Sequence, residues 1–313
     1  MKQGTKNMAA IQDLTLGRPK EAGNLVMVPL WGNPPAALDY LLIDEALGKK
    51  EVVLEEVSEG GAVPEIRLTN FSERTVLVVD GTELVGAKQN RIVNASFLIP
   101  PKSVTKIPVS CVEQGRWGYR GRTFGRSPYH AAHSIRKLNV MHHKETLKMR
   151  QGYRSDQGGV WRHVAEMSHA MDAPTATGAM HDVYEQKKST FEEFGKKIRA
   201  VRGQTGAAFL VGGRFAGLDL FDRPATLKAL LPKLLSAVSV EAMMGGHADR
   251  PVPPGDRSLQ EKVTEVLREI AGSLFEKFDP VGVGEDWRYE GKRSLGKALH
   301  FEGDLIHFSA FGK

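Results

Sequence analysis

Short runs of β-branched and aliphatic residues, each closed by a turn signal, fill the first 110 residues, and helical periodicity takes over only in the second half. That switch constrains the fold most. Apolar positions that alternate bury one face of a strand, whereas a period of about 3.6 residues buries one stripe of a helix. The predicted strands are Leu25–Leu30, Val52–Val57, Glu65–Asn70, Thr75–Val79, Ile92–Leu98 and Ser103–Val109, with a short helix at Asp44–Lys49. Gly60-Gly61, Asp80-Gly81 and Pro100-Pro101 punctuate them. Strands so spaced predict an antiparallel sandwich or barrel-like half.

Periodicity fades between Gln114 and Ser155, where an arm with one helix near His133–Lys148 is expected. Beyond it, Met180, Val183, Tyr184, Phe191, Phe194, Ile198 and Val201 mark one helical face closed by Gly203. A second helix follows Pro224, with Asp222 placed as N-cap, and a third runs from about Ser258 to Phe278. Two segments ninety positions apart, beginning at Gly206 and Gly296, each read as a β-hairpin. Gly206/Gly296, Ala208/Ala298, Gly213/Gly303 and Phe221/Phe311 coincide, which fits either a faded duplication or two unrelated hairpins with similar turns. The chain is therefore predicted to be α+β. It has a β-rich half at 1–125, a basic arm at 126–155 and a helix-and-hairpin half at 156–313, all in one integrated domain.

A hydrophobic share of 41% is enough for a sizeable core, and Cys111 alone cannot form an internal disulfide. No run of about 18 apolar residues offers a membrane span. The N-terminal text lacks the apolar stretch of a signal peptide, so a cytoplasmic protein with no membrane partner is expected. The net charge of +6 is concentrated: ten Lys/Arg and one acid lie between Gln114 and Ser155, and the rest of the chain is slightly acidic. Trp117, Tyr119, Phe124 and Tyr129 interleave with those cations and could stack bases. No nucleic-acid fold signature accompanies them, so a solvated or partner-facing segment is favoured.

The segment Asp80–Asn94 holds Glu83, Lys88, Gln89, Asn90 and Arg91, more long hydrogen-bonding side chains than a hairpin turn needs. Lys88 and Arg91 suit an anion, Arg91 as a two-pronged donor. Gln89 and Asn90 suit orientation through their amides, and Glu83 suits acid–base or metal work. The bland alternative is a solvated turn with a Glu83–Lys88 ion pair. Glu113, Arg116 and Trp117 follow the next predicted strand, where Trp117 and Arg116 could form a stacking surface. Cys111 reads as a small core residue, since no base is positioned to activate it. His130 and His133 would share a helix face, yet no companion ligand sits at a zinc-like spacing. Asp219 and Asp222 form a carboxylate pair in which Asp222 has capping to do, and Gly282–Asp286 reads as a turn.

Together, the stretches VVDGTELVGAKQNRIVN, IPVSCVEQGRW, SDQGGVW and GLDLFDRP resemble the ARG and rhodanese-phosphatase-superfamily-associated protein domain, from about Asn24 to Phe311. The matching positions include Asp80, Gly81, Glu83, Gly86, Lys88 to Arg91, Glu113, Arg116, Trp117, Asp156, Gln157, Trp161, Asp219 and Asp222. The resemblance implies a prokaryotic protein associated with conflict or signalling systems, acting on a nucleotide-like or phosphorylated ligand. No cofactor follows from it.

Two functions stay open. In the first, an enzyme or ligand-binding protein takes a small anionic, phosphate- or nucleotide-like ligand. Lys88, Gln89, Asn90, Arg91, Arg116 and Trp117 bind it, and Glu83 or Glu113 does the acid–base work. In the second, the same residues form a buried network in a non-catalytic interaction module whose basic arm docks an acidic partner. Burial separates the two, because an open cleft favours the first and pairing under a closed surface favours the second.

Overall fold

The structure, a computed structural model, describes residues 5–6, 8, 11–32, 35–245 and 258–313. The fold is α+β with a β-rich N-terminal half, and its strands pair almost entirely antiparallel. Two compact units make up the chain, and neither is one continuous stretch. One gathers Met1–Ala37, Ser189–Asp279 and Gly284–Lys313; the other gathers Leu38–Lys188 and Pro280–Val283.

The first unit is built on a ten-stranded sheet. Its centre is the pair of hairpins, Gly206–Val211 with Arg214–Phe221 and Ser294–Phe301 with Asp304–Gly312. They lie side by side, Arg214–Phe221 against Asp304–Gly312, with Asp219 opposite Ser309. Those two residues are ninety positions apart, so the hairpins are related about a local two-fold between them. Each hairpin also carries a register shift, between Phe209 and Leu210 in one and between Leu299 and His300 in the other. Those shifts are ninety positions apart as well. Matched irregularities, which turn chemistry does not require, favour duplication over coincidence. Leu259, Val263, Val266, Leu267 and Ile270 of the helix Ser258–Gly272 pack on this sheet's core.

The second unit holds the polar motifs. Its six-stranded sheet runs, in order, Phe124–His130, Thr82–Gly86, Arg91–Val93, Ser103–Cys111, Glu65–Asn70 and Val52–Glu56. A bridge between Glu55 and Thr123 brings the two edge strands together, so the sheet curls towards a barrel. Leu54, Ile66, Leu68, Leu84, Val93, Ile107, Val109 and Phe124 fill its interior. Each such side chain, fully buried, contributes roughly 1.5–3 kcal/mol. A smaller sheet joins Phe97–Ile99, Thr75–Val78 and Tyr40–Leu42.

Several expectations need correction. The predicted strand Ile92–Leu98 is two strands in different sheets, Arg91–Val93 and Phe97–Ile99, because Asn94 to Ser96 turn the chain between them. The face expected from Met180 to Val201 is split between two helices, Met180–Gln186 and Lys188–Lys197, parted at Lys187, and Ile198 and Val201 lie beyond the second. The helix expected to reach Phe278 stops at Gly272, and Phe275–Phe278 is a strand paired with Glu285–Glu290. Asp222 does not occupy the N-cap position of the helix Pro224–Met244. Arg223 stands there, and the Asp222 carboxylate accepts from Arg223 Nε at 2.8 Å. The basic segment is a strand, Phe124–His130, followed by the helix His133–Lys148. Arg136 of that helix is buried and bonds Asp80 through Nε at 2.9 Å.

Candidate functional site

The alternation that buries the barrel interior also positions the motif residues. Glu56, Arg91 and Cys111 each lie two residues beyond an interior apolar residue (Leu54, Val93 and Val109) and so face inward at one end. Arg91 and Cys111 are opposite one another in register. Gly86 opens the turn that leads into Arg91. It has φ of +118°, and a Cβ there would stand 2.8 Å from the Thr123 carbonyl oxygen.

Arg91 is fully buried. Its Nη1 donates to Gln89 Oε1 at 3.1 Å and to Cys111 Sγ. Nη2 stands 3.6 Å from Glu56 Oε1, an ion pair beyond hydrogen-bond reach. Among the described residues, neither Nε nor Nη2 of Arg91 has a hydrogen-bond partner, nor does Glu56 Oε2. Leaving a buried donor unpaired costs about 1–3 kcal/mol, more when it is charged. The Trp117 ring, half exposed, lies over this guanidinium with its centroid 5.7 Å away. Lys88 Nζ stands 5.3 Å from the same ring and 5.0 Å from that of Tyr119, and it donates to Gly60 O at 2.8 Å.

Cys111 is inert in this setting. Burial pushes its thiol up to about 11, outweighing the nearby Arg91 cation, and Glu56 adds to the rise. Iodoacetamide at pH 8 is expected to leave the native thiol unlabelled and to label it fully in denaturant, read by intact mass. Equal labelling of native and unfolded protein would contradict that environment.

Glu113 and Arg116 are brought together with Asn90, but they serve each other. Arg116 Nε and Nη2 donate to the two Glu113 oxygens at 2.8 and 2.6 Å. Glu113 also accepts from the Asn90 N–H at 3.1 Å and the Thr177 hydroxyl at 3.0 Å. Arg116 Nη1 closes on the carbonyls of Ala87 and Gly118. Burial raises the Glu113 pKa, yet the bonds from Arg116, Asn90 and Thr177 outweigh it and hold the carboxyl below its ordinary range.

Glu83 lies on the opposite face of the sheet, next in sequence to the interior residue Leu84. Its Oε2 accepts from Ser127 Oγ and from His181 Nδ1, the latter at 3.0 Å, and it makes no bond with Lys88. Nothing in the local text marks His181, which opens the short helix Met180–Gln186, ninety-eight positions after Glu83. Gln157 is also explained. Its amide both accepts from and donates to the Cys111 backbone at 2.8 Å, standing in for a neighbouring strand. A cleft of about 380 Å³ beside Trp161, His169 and Asp172 is lined by none of the eight predicted site residues.

Among the described residues no group of three or more His, Cys, Asp or Glu stands where it could hold a metal ion, and no helix is long and apolar enough to cross a membrane. No curated protein and no solved structure matches the chain. A family model matches residues 13–311 of its 313, and it spans the barrel strands, the Glu113–Arg116 loop and both hairpins. On that match, the chain belongs to the family of the ARG and Rhodanese-Phosphatase-superfamily-associated Protein domain.

Proposed function

We propose that the barrel unit binds a small anionic, phosphate- or nucleotide-like ligand against Arg91, beneath the Trp117 ring. One observation carries this reading: a fully buried guanidinium keeps two nitrogens, Nε and Nη2, without a hydrogen-bond partner. A planar guanidinium with two adjacent free N–H edges matches the oxygens of a phosphate or carboxylate. Gln89 fixes the guanidinium from its other side, and Glu56 gives the seat an acceptor for a ligand hydroxyl or amine. Trp117 and Tyr119 supply half-exposed aromatic faces, with Lys88 beside both. A ring-bearing ligand can stack there while its anion reaches Arg91. Glu113 and Arg116 hold the loop that carries Trp117.

The second reading, an interaction module without a ligand, draws on the saturation of the Glu113–Arg116–Asn90 network. Such a network rigidifies a fold. Burial favours this reading, since Gln89, Asn90, Arg91 and Glu113 are all buried and the cleft is lined by none of them, but it does not account for the unpaired nitrogens of Arg91. Stacking along a nucleic acid strand loses support, because Phe124 and Tyr129 are buried.

Melting temperatures in the presence of inorganic phosphate, ribose 5-phosphate, AMP and adenosine test the ligand reading. A ligand at 100 times its Kd stabilises the native state by about 2.7 kcal/mol. At least one of the three anions is expected to raise the melting temperature, and adenosine is expected to raise it less. No shift with any anion, or the largest shift with adenosine, would overturn the proposal.

A further inference from the structure

On the outer face of the barrel stands a constellation separate from the anion seat. Glu83, fully buried, shares its Oε2 between the Ser127 hydroxyl and His181 Nδ1, while its Oε1 has no hydrogen-bond partner. Ser127 Oγ in turn accepts from the Tyr129 N–H at 3.1 Å, which fixes the hydroxyl. The Tyr129 ring meets the imidazole edge-on, with centroids 5.5 Å apart, and its hydroxyl donates to Glu185 Oε1 at 2.7 Å. The imidazole is about one quarter exposed (25%), and its Nε2 has no hydrogen-bond partner among the described residues. A carboxylate behind Nδ1 fixes the tautomer, so that Nε2 faces outward as the basic nitrogen.

We propose that His181 Nε2, positioned by Glu83, is a proton-transferring group that activates water against an uncharged ester. Two observations bear on that chemistry. Among the described residues no hydroxyl or thiol bonds Nε2, so the proton is taken from water or the substrate. The charged groups that raise the ring's proton affinity are all acidic: Glu83 from the sheet, and Glu185 and Asp182 from the ring's own helix. Tyr129 is the remaining titratable neighbour in ring contact. An anionic substrate is therefore repelled, whereas an uncharged or cationic one is not. In the step, Nε2 takes a proton from water, and the water oxygen forms a bond to the acyl carbon. The bond from that carbon to the leaving oxygen breaks, and the imidazolium returns the proton to it, giving acid and alcohol. Glu83 is a positioning residue; it touches no reacting atom.

The test is hydrolysis of 4-nitrophenyl acetate by the full chain across pH 5–9, with His181→Gln, Glu83→Gln and His169→Gln. General-base groups typically contribute about 100-fold or more, and an unevolved ester should show at least about tenfold. His181→Gln is expected to lose at least that factor and His169→Gln to stay within about twofold. Glu83→Gln should move the midpoint of the pH–rate profile to lower pH, because the Glu83 hydrogen bond is the largest cause raising the His181 pKa. Equal rates for wild type and a folded His181→Gln, or an unmoved midpoint in Glu83→Gln, would overturn the assignment. Should His181→Gln not fold, diethyl pyrocarbonate on the wild-type chain decides. Turnover falling in step with His181 modification, read by peptide mass, supports the proposal, and turnover surviving full modification refutes it. Neither outcome depends on whether an anion binds Arg91.

Discussion

Replacing Glu113 by alanine is expected to destabilise the barrel unit by about 3–5 kcal/mol, the usual cost of removing one partner from a buried ion pair. For a unit of this size that corresponds to a fall in melting temperature of about 6–20 °C. The carboxylate is fully buried and accepts from Arg116, Asn90 and Thr177, so its loss strands a guanidinium, a backbone N–H and a hydroxyl together. The double variant Glu113→Ala with Arg116→Met should lose less than the two single losses added, because the second change removes the stranded cation. The same network sets a pH dependence. With the folded pKa of Glu113 held below 4.5, the stabilisation is fully present above the unfolded value and is lost as pH falls through the folded one. Glu113→Ala should therefore flatten the acid limb of the stability curve. Wild-type and variant melting temperatures that stay equally far apart down to pH 3 would contradict this.

Arg91→Met is expected to remove anion binding almost completely. Each hydrogen bond to a charged group contributes about 1.5–3 kcal/mol, so losing donation from Nε and Nη2 corresponds to roughly 3–6 kcal/mol, or about 100- to 10,000-fold in Kd. The single variant also leaves Glu56 buried without its cation, and it should lose stability for that reason. Arg91→Met paired with Glu56→Gln separates the two effects. It removes both charges and keeps the volume, so it should melt closer to wild type while binding phosphate no better than the single variant. Recovery of binding in the double variant, measured by calorimetry, would show that Arg91 matters only for packing.

Much of this was legible in the sequence because strand and turn chemistry are local. Glu65–Asn70 and the helix His133–Lys148 fall where the residues alone place them. The ninety-position likeness pointed to two hairpins, and both form, although their adjacency in one sheet came only with the structure. Polar density in Asp80–Asn94 and Glu113–Trp117 also marked segments that do meet, as the Asn90–Glu113 and Arg116–Ala87 bonds attest. What composition could not separate was the job of each charge. Arg91 and Arg116 are the same residue type in similar text, yet one is saturated by Glu113 and carbonyls while the other keeps two free edges. That difference depends on which face of a strand a residue occupies and on a partner, Glu56, thirty-five positions away. His181 was invisible for the same reason, since a long-range contact with Glu83 gives it its role. The N-cap fell one residue later than Asp222, at Arg223, because capping residues are recognised by type and a boundary by backbone geometry.

Crystals of the full chain soaked in selenate offer the most direct test, because anomalous scattering locates the anion without assumption. A selenate oxygen within hydrogen-bond distance of Arg91 Nε and Nη2, beneath the Trp117 ring, is the predicted result. Saturating selenate bound only elsewhere, with those two nitrogens bonded to water or drawn onto Glu56, would contradict it.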